Sequence, residues 1–157
     1  MGTVLVDRVQ QLFKKHHDAT HGVINVAGVM KELGQEAPNG ISPNEYVTST
    51  FRTMLEDPTY APFHGPAQIA LCGQIAEGYV TDHAVFALVW DYGHRMDVAD
   101  RDIPDRTLRS LVICKEGCDW LKNQLPSWES QPGMKDWHDY ARELIGRKQQ
   151  LLERKGE

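Results

Sequence analysis

Residues 42–57 read Ser-Pro-Asn-Glu-Tyr-Val-Thr-Ser-Thr-Phe-Arg-Thr-Met-Leu-Glu-Asp, and this stretch decides the fold class. Ser42 is a helix-capping type, and Pro43 suits the first helical position, where the backbone N–H has no partner anyway. Glu45 stands three residues after the cap, as a capping box requires. Val47, Phe51, Met54 and Leu55 then recur at helical spacing and form one apolar stripe. Asp57-Pro58 ends the pattern.

The same period recurs on both sides, and strand-like alternation is almost missing. Upstream, Leu5, Val9, Leu12 and Phe13 predict a first helix ending near His16-His17-Asp18. Val26, Val29, Met30 and Leu33 predict a second, stopped by Gly34 and the Pro38-Asn39-Gly40 turn. Downstream, prolines at 58, 62 and 66 mark residues 57–66 as an irregular connection. Ile69, Cys72, Ile75, Ala76 and Tyr79 carry a fourth helix. Thr81 or Asp82 caps a fifth, whose core side is expected to be Val85, Leu88, Val89, Tyr92 and Met96. Leu108, Leu111, Val112 and Leu121 share a sixth helix, residues 126–133 form a loop, and Trp137, Tyr140, Ala141, Leu144, Ile145, Lys148, Leu151 and Leu152 line the last. The expectation is an all-α chain, one compact domain over residues 1–157 with six or seven helices. Residues 1–56 would be a three-helix, winged-helix-like part, a small β-wing would lie near residues 57–65, and residues 134–155 would form a long amphipathic helix.

Length and composition agree. At 157 residues the chain can bury a core without a disulfide or structural metal. With 41% hydrophobic and 25% charged residues, neither wholesale disorder nor a fibrous repeat is expected. The longest apolar run, residues 84–90, is far short of the ~20 residues of a membrane-spanning helix, so no membrane partner is expected. No secretory signal pattern opens the sequence, and three cysteines suit a reducing compartment, which points to the cytoplasm.

Charge is unevenly placed. Residues 53–94 contain no Lys or Arg but hold Glu56, Asp57, Glu77, Asp82 and Asp91, which accounts for the whole net charge of −5. Such a stretch suits a basic partner and makes the chain a poor generic binder of phosphate backbones.

Four groups of residues are candidates for function. Trp120, Trp128 and Trp137 surround residues 126–133, either as a small satellite core or as a partner-binding surface, with Trp128 the expected exposed one. Asn44, Thr48 and Arg52 would be the reading positions if the stretch opening at Ser42 were the recognition helix of a winged-helix DNA-binding regulator. His83, Asp91 and His94 share one side of the fifth helix and form the candidate metal set, where a metal-dependent helical enzyme would act. His17 and His21 have chelating i, i+4 spacing, yet suit a polar helix end better. His17-Asp18 resembles the metal-binding core of HD-type phosphohydrolases over those two residues alone, with no upstream His or later ligating Asp in order, and is set aside. Cys114 is expected to be buried and Cys118, beside Gly117 and Asp119, partly exposed. Residues 97–109 alternate in sign and read as a salt-bridged surface.

No nucleophile elbow, phosphate-binding loop, dinucleotide fingerprint or zinc-protease motif occurs. The leading expectation is therefore a non-enzymatic regulatory or interaction protein that binds another macromolecule, with no cofactor. It would take a protein partner through the acidic middle or the Trp-bearing C-terminal part. DNA binding and metal-dependent catalysis are the alternatives, and the last helix either overhangs freely or joins a homodimer.

Overall fold

The computed structural model describes residues 2–18, 23–96 and 101–156. His21 and residues 97–100, part of the sign-alternating run, lie outside them. The described residues form eight α-helices, one 3-10 helix and a two-residue antiparallel ladder. The chain divides into two compact units, Met1–Gln74 and Ile75–Glu157. No described helix is long and apolar enough to cross a membrane.

In the first unit, α1 (Gly2–Lys15) leads into the ladder of β1 (His17–Asp18) and β2 (Val23–Ile24). Asn25 then caps α2 (Val26–Gln35) by accepting the Gly28 N–H at 3.1 Å. The helix ends at Gln35, one residue past the stop expected at Gly34. Gly34 is buried inside α2, and a Cβ there would come within 3.2 Å of Pro43 Cβ, so its smallness brings α2 close to the next helix. That helix, α3 (Pro43–Glu56), starts as its sequence predicts, with Ser42 Oγ accepting the Glu45 N–H at 3.1 Å. Val9, Leu12, Phe13, Val29, Leu33, Phe51 and Met54 form the core, and Phe13 stacks on Phe51 with ring centroids 6.1 Å apart.

The expected β-wing is a 3-10 helix, Pro58–Phe63. Asp57 accepts the Thr59 N–H at 2.9 Å and Pro58 presets a helical φ, so the chain winds instead of extending. Phe63 then packs on Phe13 at 5.1 Å, ahead of α4 (His64–Ala76).

The second unit holds α5 (His83–Arg95), α6 (Asp102–Ile113), α7 (Lys115–Glu129) and α8 (Lys135–Gly156). Asp82, rather than Thr81, caps α5, accepting the Ala84 N–H at 2.9 Å. The core face of α5 is turned from the expected one. Val85, Phe86, Val89, Trp90 and Gly93 are buried, while Leu88, Tyr92 and Met96 are half-buried, because the two large rings remove the most apolar area from water.

The expected sixth helix is two helices, broken at Cys114, whose backbone is extended (φ −80°, ψ 130°). Two contacts explain the break. Gly117 lies so close to α6 that a Cβ there would sit 2.7 Å from the Leu111 carbonyl oxygen and 3.1 Å from Leu111 Cα. From α8, the Lys148 ammonium donates to the carbonyls of Val112 at 2.6 Å and Ile113 at 3.3 Å, satisfying oxygens that a helix end leaves unpaired. Residues 126–129 also depart from the expected loop, since α7 runs through Pro126 to Glu129. Pro126 and Lys122, whose carbonyl would have taken the missing hydrogen bond, both face solvent, where water can replace it.

Two outcomes test these contacts. Gly117→Ala should destabilise the second unit by about 1–3 kcal/mol through collision with the α6 backbone. Gly146→Ala, on α8 with nothing within 4 Å of an added Cβ, should be neutral or stabilise by about 0.5–1 kcal/mol. Urea titrations that rank the two variants alike would reject the close approach. In the first unit, hydrogen bonds from Lys15 and then His16 hold the Glu32 carboxyl below its ordinary range. A carboxyl lowered in the folded state adds stability that is present above its unfolded pKa and lost as pH falls through the folded value. Acidification through and below the ordinary glutamate range should therefore loosen α1 from α2, and Glu32→Gln should flatten that limb of the stability curve.

Candidate functional site

The sequence-derived candidates scatter. Trp120, Trp128 and Trp137 are buried, with Trp128 only 4% exposed, so the expected exposed tryptophan is a core residue. Trp128 stacks on Trp90 at 4.7 Å, and Trp137 meets Trp90 edge-on at 6.1 Å. Trp120 packs against Phe86 at 6.1 Å. The guanidinium of Arg101 lies 4.9 Å over the Trp137 ring. Trp90, which the sequence reading left out, is the centre of this cluster.

On α3, Asn44, Thr48 and Arg52 do share a face, but α4 covers part of it. Gln74, itself buried, donates to the Asn44 carbonyl at 3.2 Å and is 3.4 Å from the Thr48 hydroxyl. Arg52 pairs with Glu56 at 3.0 Å. Two of the three expected DNA-reading positions are thus engaged within the first unit.

His83 and His94 stand three helical turns apart on α5, about 16 Å along the axis, beyond reach of one metal ion. His94 lies against Trp90 at 5.6 Å and His83 against Phe86 at 5.8 Å. Among the described residues, no group of three His, Cys, Asp or Glu side chains could hold a metal. Cys114 is buried as expected, its thiol 3.4 Å from Glu116 Oε2, and Cys118 is buried as well, against expectation. The Glu116 carboxyl is lowered by its own backbone N–H and then by this thiol.

The acids of residues 53–94 are largely occupied. Glu56 holds Arg52, while Asp57 and Asp82 are helix caps. Asp105 accepts from the Tyr140 hydroxyl and holds Arg109 at 3.1 Å, tying α6 to α8. Burial first, and Asp105 second, raises the Tyr140 pKa.

A different place gathers unpartnered apolar surface. Ile113, the last residue of α6, is 62% exposed, and Leu151 of α8 is 57% exposed. With Val112 and Leu144 they line a groove of about 310 Å³, rimmed by Arg109, Arg147 and Lys148. Across the ridge of Ile113 and Lys148 a second groove of about 440 Å³ opens between α7 and α8, where Lys115, Cys118, Asp119, Lys122 and Ile145 lie. The two linings together carry five cations and one carboxylate. From outside the linings, Asp105 and Glu143 pair with Arg109 and Arg147. In a chain of net charge −5, this face has the opposite sign.

In the sequence Leu151 belongs to the stripe of the last helix, and Ile113 follows Leu111-Val112 and reads as more core. What exposes it is the break at Cys114. Lys148 was read as part of the apolar stripe, and its stem does run along it while the ammonium reaches α6.

No protein-family model, curated protein or solved structure matches this chain.

If the Trp cluster is core, Trp128→Ala should cost about 3–5 kcal/mol of stability and abolish much of the near-UV circular dichroism of stacked indoles. A variant of unchanged stability would reject the buried placement.

Proposed function

We propose that this protein is a non-enzymatic interaction protein that binds another polypeptide through the groove between the end of α6 and α8. One observation carries the reading: Ile113 and Leu151, from separate helices, expose their side chains into one apolar groove. Isolated exposed hydrophobics are ordinary, but a convergent pair with apolar walls and a polar rim has the anatomy of a binding surface. Three of the five carboxylates of the middle segment, Glu56, Asp57 and Asp82, act as caps or ion pairs, and the tryptophans as core, so neither supports the reading as well. None of the four catalytic motifs considered above occurs, and His83 and His94 of α5 stand too far apart to share one metal ion.

The test is site-specific photo-cross-linking in the cells of origin. A photoreactive residue replacing Ile113 should yield a discrete protein adduct. Adding Leu151→Asp should abolish that adduct, while the same photoreactive residue at Gln35, on the first unit, should not produce it. An Ile113 adduct indifferent to Leu151→Asp, or no Ile113 adduct, would overturn the reading.

A further inference from the structure

We infer that the occupant of this groove is an acidic amphipathic helix of a partner protein, an assignment that rests on the protein-binding reading above. Spacing and charge on the page carry it. Leu144 and Leu151 lie seven residues apart on α8, about 10.5 Å along its axis. A helix laid beside α8 presents apolar side chains at i, i+3, i+4 and i+7, which span the same distance, and Ile113 forms the opposite wall.

Charge then selects the polar face of that helix. Arg109 and Arg147, already paired with Asp105 and Glu143, stand at the rim of the first groove, so the selection rests chiefly on Lys115 and Lys122, which border the second with Asp119 the one carboxylate in either lining. Carboxylates flanking the anchors would meet these cations as the apolar stripe seats on Leu144, Leu151 and Ile113. A basic helix of the same pattern would place like charges together, which selects against it. Pairing of two such grooves from two copies of this chain would set the same cations against each other, so a self-complementary dimer through this face is disfavoured.

The probe is a fluorescein-labelled helical peptide with leucine at i, i+3, i+4 and i+7 and glutamate elsewhere, compared with its lysine counterpart by fluorescence anisotropy. The glutamate peptide should bind, with affinity falling as salt is raised, and the lysine peptide should bind at least about tenfold more weakly. Ile113→Asp, and separately Lys115→Glu with Lys122→Glu, should each weaken the glutamate peptide by about tenfold or more. Both lysines are exposed and, among the described residues, neither joins an ion pair, so far-UV circular dichroism and melting of that double variant should match the parent. Equal binding of both peptides, or of neither, would overturn the inference. So would cosedimentation with phosphatidylglycerol vesicles without glutamate-peptide affinity, or a concentration-dependent dimer abolished by Ile113→Asp. A Leu151-dependent cross-link at Ile113 together with no glutamate-peptide affinity would sink the acidic helix and leave the protein-binding reading standing.

Discussion

One charged contact joins α8 to the end of α6 in the second unit: the Lys148 ammonium on the terminal carbonyls of α6. A helix end leaves carbonyls without partners, and a cation there meets both the hydrogen-bonding need and the negative end of the helix dipole. Because α8 supplies this group, α6 can stop at Ile113 without a glycine cap, and Gly117 lets α7 begin hard against Leu111. The turn so formed pushes Ile113 into solvent beside the α8 stripe. Helix termination and the apolar groove thus meet at the same place, where Lys148 and Gly117 both bear on the end of α6.

Two kinds of apolar surface result. The aromatic cluster around Trp90 is internal: stacked and edge-on rings from α5, α7 and α8 fill the space between helices, where a ring buries more area than an aliphatic chain. The groove is external, aliphatic and bordered by long cations. Arg109 and Arg147 keep their positions through Asp105 and Glu143, which holds the rim in place and offsets part of its charge.

Acidic residues have divided roles. At Asp57 and Asp82 a carboxylate accepts a backbone N–H at the start of a helical segment, and at Glu32 it joins α1 to α2 through Lys15 and His16. Two of the five carboxylates of residues 53–94 thus serve helix starts, and a third, Glu56, pairs with Arg52.

The all-α class was legible from the sequence, because helical period and capping chemistry are local. The Ser42 cap, the Asp82 cap and the stripes of α1, α2, α3 and α8 needed only neighbours a few residues away. Tertiary structure decided what depends on distant groups. The break at Cys114 required Lys148 and Leu111, the fate of Trp128 required Trp90, and the covering of Thr48 required Gln74. The groove belongs to this second class, since Ile113 is exposed at a helix break that a lysine thirty-five residues away helps to satisfy. A sequence states which residues are apolar and at what spacing; only the packing of one helix against another settles which of them are left facing water.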